Sequence, residues 1–386
     1  MRSIARRVSR DPGQRNIVLV SGAMLLLSLG ENLWRKFLPA YLQALGAPIR
    51  AVGLYGSAQD LIDGLYQYPG GWLGDRLGRR NALLLFVAAA MTGYCIYALT
   101  RSWPWTLVAL AFAASWTSMA SPTLFAVVGD ALPKSRRAIG FTLQAILRRL
   151  PILVAPVAGG VLIARIGLVD GMRVLFVITI ALAGITLMVV RRVDVARIEG
   201  PPANIRGVWR ACPRPLRFLL LSDVFIRTCE ALVDVFVVIY ATRILGLSVT
   251  TFGLLITVQT LTALCVYLPA AKSADRLGRK PFVIATFLAF SFFPLAIVYL
   301  PPVLAFVIAG LREVGEPSRK ALIVDLAEPA LRARTVGLYY LIRSVAIAPA
   351  ALIGGMLWEH APSLPFLLAC AIGLIGTAVF AVTVEE

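Results

Sequence analysis

Long apolar runs, separated by short polar segments, dominate the chain and most constrain its fold. A helix needs about 20 mostly apolar residues to cross a bilayer. That length predicts twelve spans, at residues 17–43, 51–73, 81–100, 105–129, 138–163, 172–190, 216–242, 251–271, 281–300, 303–325, 335–358 and 363–383. Hydrophobic residues make up 59% of the chain and charged residues 15%, a balance that no soluble globular protein requires. We therefore predict an all-α integral membrane protein.

One short stretch of sequence occurs twice. The first copy, PGGWLGDRLGRR, runs from Pro69 to Arg80, and the second, PAAKSADRLGRK, runs from Pro269 to Lys280, at an offset of 200 residues (269 minus 69). In a membrane chain, two halves with one layout suggest a transporter built from repeats, with its site between them. We expect two pseudo-symmetric six-helix bundles, at residues 1–190 and 216–386, joined by a linker at 191–215.

Lysine and arginine are concentrated in the predicted loops that share a side with the N-terminus, including the linker. Cytoplasmic loops of membrane proteins carry this excess. We therefore expect a multi-pass protein of the cell membrane, in a bacterial inner membrane, with both termini in the cytoplasm. The same loops account for the net charge of +18, so we do not expect nucleic acid as a partner.

Charged residues within the predicted spans are unevenly distributed. Because a charge facing lipid costs at least about 2.5–3.5 kcal/mol at the bilayer centre, these residues should face protein or water. The third, sixth, ninth and twelfth spans have no charged residue in their interiors, so we expect them to lie at the periphery. The charges of the other spans are either ion pairs that only hold the helices together or the lining of a polar cavity.

Three acids on the first two spans are the predicted proton-coupling site: Glu31, Asp60 and Asp63. They lie at similar depth, and Arg35 is close enough in sequence to Glu31 to act as a counter-ion. A second set, of both signs, is the predicted substrate site: Arg35, Arg148, Arg227, Glu230, Asp234, Arg312, Glu313, Glu316 and Arg343. Helical spacing also predicts contact between Arg312 and Glu316.

Other kinds of site are not expected. The chain has one histidine and five scattered cysteines without a CxxC pair, so we expect no metal site, disulfide or cofactor. No GxxxxGK[ST] motif is present, and no constellation of residues favours an enzyme. Transport would then be driven by an ion or substrate gradient.

The duplicated stretch resembles the signature loop of the major facilitator superfamily. The first copy matches it at every signature position, whereas the second has Ala271 in place of the first glycine. The resemblance implies twelve helices, a central cavity and alternating access, with gating roles for Gly71, Asp75, Arg76, Gly78, Arg79, Arg80, Asp275, Arg276, Gly278, Arg279 and Lys280. We expect Asp75 and Asp275 to lie near bases that follow the fourth and tenth spans, namely Arg136 or Arg137 and Arg332 or Arg334.

The fifth span resembles the antiporter motif of this superfamily. Pro156, Gly159 and Gly160 match it and are assigned to gating, while Ala155 replaces a glycine. The resemblance favours export over import. The fourth span has no basic residue, although drug–proton antiporters of the superfamily usually carry an arginine there, so the acids of the first two spans would have to couple protons instead.

We therefore expect a monomeric secondary transporter that moves a small polar or charged organic solute by alternating access, coupled to protons. The expected partners are a small-molecule substrate, protons and the lipid bilayer. Two alternatives stay open. One is uptake or exchange of an organic anion bound by the arginines. The other is a non-transporting sensor or lipid-handling protein on the same fold.

Overall fold

The computed structural model describes residues 12–120, 137–193, 209–210, 212–326 and 332–384. All regular secondary structure in these residues is helical. The first half contains α1 (Pro12–Trp34), a 3₁₀ turn (Arg35–Phe37), α2 (Leu38–Ala44), α3 (Ile49–Leu77), α4 (Arg79–Leu99), α5 (Pro104–Ala114), a π turn (Ser115–Met119), α6 (Arg137–Ile166) and α7 (Leu168–Val190).

The second half contains a comparable series of helices. It contains α8 (Arg214–Ile239), a π turn (Tyr240–Ile244), α9 (Val249–Leu277), α10 (Lys280–Tyr299), α11 (Pro302–Leu311), α12 (Glu316–Leu326), α13 (Arg332–Ile347), α14 (Ala350–His360) and α15 (Leu364–Thr383).

Every predicted span overlaps helix in the described residues, so the all-α prediction is confirmed. Several spans are not the single continuous helices that the sequence predicted. The tenth breaks between α11 and α12, and the eleventh breaks between α13 and α14. Six stretches of the described residues are long and apolar enough to cross a membrane: Arg79–Leu99, Leu168–Val190, Val249–Tyr267, Lys280–Tyr299, Thr335–His360 and Leu364–Thr383.

The duplicated stretch forms a helix end rather than an open loop. Its Asp-Arg-Leu segment is the last turn of α3 in the first copy and of α9 in the second. Gly78 and Gly278 then break the helix, with φ of 80° and 86°. Gly46 and Gly246, also separated by 200 residues, have positive φ as well. The repeat is therefore preserved where only glycine adopts the backbone conformation at low cost.

Replacing Gly78 with alanine should destabilise the protein through its backbone alone. Gly78 has φ 80° and ψ 144°, and a Cβ atom there would meet nothing within 4 Å. Forcing a side chain into this nearly glycine-only region costs about 1–3 kcal/mol. The matched control is Gly184→Ala in α7, where a Cβ also meets nothing within 4 Å but φ is not positive. We expect Gly78→Ala to lower the thermal unfolding midpoint of the purified protein and Gly184→Ala to raise it. An unchanged midpoint for Gly78→Ala would contradict this account.

The helices form two compact units. Unit 1 comprises Met1–Gly46 and Leu65–Pro201, and unit 2 comprises Ala47–Gly64 and Pro202–Glu386. The boundary falls within α3, whose first part belongs to unit 2. The domain limits drawn from the sequence, at residues 190 and 216, stay a prediction.

Unit 1 has an aromatic core around the end of α1. The rings of Trp34 and Tyr97 pack against Phe176, with centroids 5.1 and 5.2 Å away. The Trp34 indole donates a hydrogen bond to Thr179 (3.1 Å), which in turn donates to the Gly30 carbonyl (2.9 Å). These contacts hold α1 against α4 and α7.

Unit 2 has an apolar core where α8, α10 and α13 meet. Leu219, Phe287 and Tyr339 are almost fully buried there. The polar residues described next lie against this core, where water is scarce and an unpaired charge is costly.

Candidate functional site

Four charged residues occupy one face of α8: Asp223, Arg227, Glu230 and Asp234. Their spacing of four, three and four residues places them in a row along the helix. The sequence interpretation named the last three and missed Asp223. The same spacing, extended by one turn toward the N-terminus of α8, could have found it.

Asp223 is completely buried. Its Oδ2 atom accepts hydrogen bonds from Arg319 (2.9 Å), Arg343 (3.2 Å) and the Tyr339 hydroxyl (3.1 Å). Its Oδ1 atom lies 3.8 Å from the Arg227 Nε atom and has no hydrogen-bond partner among the described residues. Asp223 is thus the anion on which three arginines of unit 2 converge.

Glu316 and Arg319 lie in the first turn of α12 and bind one another. The Arg319 guanidinium donates to both Glu316 carboxylate oxygens, at 2.8 and 3.2 Å, in the two-point geometry that favours arginine with carboxylate. Arg227 also donates to Glu316. Arg319 is not among the substrate-site residues predicted from the sequence. At 1% exposure it is a central residue of this cluster.

The break before α12 changes one predicted contact. Glu316 pairs with Arg227 and Arg319, whereas Arg312 donates to Glu230 over 3.4 Å and to the Ala309 carbonyl over 2.9 Å. The predicted pair of Arg312 with Glu316 was therefore wrong. It assumed a continuous helix, but α11 ends at Leu311 and α12 begins at Glu316.

Aromatic rings of α10 cover two of these arginines. The Arg227 and Arg312 guanidinium carbons lie 4.8 and 4.9 Å from the Phe290 ring centroid. Arg312 also lies 4.9 Å from Phe293. A helix without interior charges therefore contributes to the charged cluster through its ring faces, by cation–π contact.

A cavity of about 90 Å³ lies next to this cluster, within unit 2. Its walls come from α3, α8, α13 and α14, and the residues that line it are Gly56, Gln59, Asp60, Arg227, Glu230, Ala231, Asp234, Val235, Ile347 and Ala351. The sequence had placed Asp60 in the proton-coupling set and the α8 residues in the substrate set, and the structure brings them to one cavity.

Small residues allow α3 to form this wall. A side chain at Gly53 would meet the Ala351 carbonyl, and one at Gly56 would meet the Ala351 and Val235 side chains. The Ser57 hydroxyl accepts a hydrogen bond from the Leu352 backbone N–H (2.9 Å), which fixes α3 against α14.

Asp60 differs from the other acids of the cavity and the cluster. Among the described residues it forms no hydrogen bond or salt bridge, whereas Asp223, Glu230 and Glu316 are each bound by arginine. The charges that act on it come from the acids Asp63, Glu230 and Asp234 and from Arg343. Arg343 therefore interacts with both Asp223 and Asp60, although it hydrogen-bonds only the first.

The remaining predicted residues are not among those that line this cavity. Glu31 belongs to unit 1, where it is buried and accepts a hydrogen bond of 2.6 Å from the Tyr94 hydroxyl. Arg35 lies in the 3₁₀ turn after α1, and Glu313 lies in the break before α12. The side chain of Arg148 is outside the described part of the chain, so its assignment stays a prediction.

The predicted gate can be followed only in part. Gly159 in α6 packs so closely on the Leu33 carbonyl and the Phe37 ring that a side chain would collide with them. Arg76 lies over the Trp72 ring at 5.0 Å, and Arg79 is buried. The side chains of Asp75 and Asp275 lie outside the described part of the chain, and so do those of their expected partners. These partners are Arg136, Arg137, Arg332 and Arg334.

A family model for the Major Facilitator Superfamily matches residues 20–228 and again residues 219–386. The chain belongs to this superfamily. The resemblance inferred from the duplicated stretch is thereby confirmed. The fold is accordingly the twelve-helix, all-α major facilitator fold, and the protein is a multi-pass membrane transporter rather than an enzyme.

Relatives of this major facilitator span nearly its whole length. It is 20% identical over 382 residues to an uncharacterized MFS-type transporter of Methanocaldococcus jannaschii, covering 94% of this chain and 93% of that protein. Its fold is similar to that of a POT family transporter in complex with a thioalcohol conjugated peptide, with a TM-score of 0.79, 14% identity, and coverage of 95% of this chain and 96% of that chain.

Two further solved structures share the fold. The nucleoside transporter NupG has a TM-score of 0.80 at 12% identity, with 96% of this chain and 100% of that chain covered. The human organic anion transporter TETRAN has a TM-score of 0.69 at 18% identity, with 96% and 99% covered. These proteins carry different classes of solute, so the fold alone does not select a substrate.

Proposed function

We propose that this protein is a secondary transporter that moves a small charged organic solute by alternating access and is driven by protons. The cavity of unit 2 holds the solute, and Asp60 is the residue that takes up and releases the proton. Glu31 and Asp63 are the other two acids that we propose to respond to protons.

The proposal rests on the environment of the Asp60 carboxyl. It lines the cavity without a hydrogen bond or salt bridge among the described residues, and three other acids act on it. Binding a proton at one of several neighbouring carboxyls relieves the repulsion between them. Asp223, Glu230 and Glu316 are instead each paired with arginine in salt bridges.

The proposal also covers the direction of transport and the orientation of the protein in the membrane. The pattern of Pro156, Gly159 and Gly160 supports export. The excess of lysine and arginine in the loops that share a side with the N-terminus supports cytoplasmic termini, in a bacterial inner membrane. The working unit is a monomer.

Purified protein in liposomes, offered a panel of amines, zwitterions and organic anions, tests the proposal. We expect at least one solute to accumulate against its gradient when a proton gradient is imposed, and to equilibrate only slowly without it. Accumulation that ignores the proton gradient would refute proton coupling. Accumulation of organic anions alone would favour the organic-anion carrier, and a complete lack of transport would favour a sensor or lipid-handling protein.

A further inference from the structure

Arg343 of α13 is bound to Asp223 less firmly than Arg319 is. It donates one hydrogen bond to the Asp223 Oδ2 atom, and at 3.2 Å this is the longest of the three that the atom accepts. The Arg343 Nε atom is buried and has no hydrogen-bond partner among the described residues. A buried donor without an acceptor is costly, so a second carboxylate nearby would be a favourable partner for Arg343.

Asp223 would not be left unpaired if Arg343 moved away. Arg319 still donates to it over 2.9 Å, and the Arg227 Nε atom lies 3.8 Å from its other oxygen. Arg227 and Arg319 each also bind Glu316, whereas Asp223 is the carboxylate that Arg343 hydrogen-bonds in the described part of the chain. The release of Arg343 therefore avoids the cost of an uncompensated buried charge at Asp223.

The packing of α3 on α13 brings Asp60 close to Arg343 within unit 2. A side chain at Gly64 would collide with that of Ser344, so the two helices are in direct contact there. Asp60 lies one turn before Gly64, and Ile347 lies one turn after Arg343, so the members of each pair share a helix face. Asp60 and Ile347 line the same cavity. Arg343 therefore lies on the face of α13 that turns toward Asp60.

The charges that act on Asp60 come from three helices of unit 2. They are Asp63 of α3, Glu230 and Asp234 of α8, and Arg343 of α13. The three acids repel an ionised Asp60, and Arg343 is the one base of these four residues. Arg227 also lines the cavity, but it already donates to Glu230 and Glu316. The fourth wall, α14, contributes Ala351 to the described lining and no charge. An ionised Asp60 is therefore expected to draw Arg343 toward it.

We propose that Arg343 transmits the protonation of Asp60 to α13 by exchanging one acid for another. While Asp60 carries a proton it is neutral, and Arg343 stays on Asp223, the arrangement found in this structure. When Asp60 releases its proton to the cavity it becomes an anion that Arg343 binds, and the guanidinium stays protonated throughout. A contact of α13 with α8 is then replaced by a contact with α3.

The inference rests on the proposed function and deepens it. Asp60 binds the proton, and Arg343 is the positioning residue that converts the change of charge into a change of helix contacts. The exchange is favourable in one direction because Arg343 leaves an acid that keeps Arg319 and Arg227 for an acid that has no salt bridge among the described residues.

Infrared spectroscopy of the detergent-solubilised protein across a pH series tests the first step without any substrate. The carbonyl band of a protonated carboxyl that is missing from Asp60→Asn reports the midpoint of proton binding at Asp60. We expect Arg343→Gln to raise this midpoint by at least about one pH unit, because an opposite charge nearby favours the ionised form. Arg343→Lys keeps the charge and should return the midpoint most of the way to the wild-type value. Arg173→Gln, in unit 1, should leave it unchanged.

Amide hydrogen exchange of α13, corrected for the intrinsic effect of pH, tests the second step. We expect the exchange rates across Arg332–Ile347 to change through the same midpoint in the wild-type protein. Asp60→Asn should lose this pH dependence, because Arg343 then has no second anion to bind. Asp60→Asn is expected to fold, so this measurement does not depend on the stability of an Arg343 variant.

The two measurements separate the inference from the proposed function. An unchanged midpoint in Arg343→Gln would overturn the inference. A band that titrates while the exchange of α13 does not follow it would also overturn the inference, and would make Arg343 a fixed counter-ion. The absence of any titrating band that depends on Asp60 would instead refute Asp60 as the proton carrier, and the inference with it.

Discussion

Asp223→Asn should be one of the most destabilising conservative substitutions in the chain. It keeps the shape of the side chain but removes the charge on which Arg319 and Arg343 converge. Removing one partner of a buried ion pair typically costs about 3–5 kcal/mol, because the remaining charge is left buried and uncompensated. We expect a much lower thermal unfolding midpoint and less protein recovered from membranes.

The double variant Asp223→Asn with Arg319→Met separates a charge effect from a packing effect. Removing one charge of each sign keeps the balance of the cluster, and a methionine fills much of the volume of the arginine. Replacing a buried pair with apolar groups is often neutral or stabilising. We therefore expect the double variant to be less destabilised than the sum of the two single variants.

A matched control is available in unit 1. Asp170 lies 3.7 Å from Arg173, and its side chain is 75% exposed. Exposed pairs contribute only about 0–1 kcal/mol, so Asp170→Asn should barely move the midpoint. Equal midpoints for Asp223→Asn and Asp170→Asn would show that the cluster does not stabilise unit 2 as the contacts indicate.

Much of the fold could be predicted because it depends on patterns that are visible in the sequence itself. Apolar runs of membrane length give the helices, and the repeat at 200 residues gives the two halves. Gly78 and Gly278 are a further example, since their positive φ explains why glycine recurs at that position of the repeat. The clustering of charges in particular spans predicted a polar interior, and several of these charges pair with one another in unit 2.

The pairings within the site could not be predicted in the same way. Helical spacing relates residues of one continuous helix, and it failed for Arg312 and Glu316 because the helix is interrupted between them. Asp223 binds Arg319 of α12 and Arg343 of α13, which lie 96 and 120 residues later in the chain, and sequence spacing does not specify such contacts. Asp60 was assigned to the proton-coupling set from the sequence, whereas its place in the cavity wall and its lack of a hydrogen bond or salt bridge among the described residues are properties of the fold.

Asp60→Asn should abolish proton-driven accumulation of the substrate while leaving exchange at equal pH largely intact. The substitution keeps a polar side chain of the same shape on the cavity wall but removes the group that binds the proton. Asp60 has no hydrogen bond or salt bridge among the described residues, so its loss should not release a buried partner. The variant is therefore expected to fold with nearly the wild-type unfolding midpoint, in contrast to Asp223→Asn.

Liposome transport of the substrate, with and without an imposed proton gradient, measures this effect, and Asp170→Asn serves as the control with normal accumulation. If Asp60 instead only held helices together, its replacement would reduce stability, accumulation and exchange together. Asp63→Asn and Glu31→Gln extend the test to the rest of the proposed set. Normal gradient-driven accumulation in all three variants would place proton coupling elsewhere, with Glu230 and Glu313 of the second half as the next acids to replace.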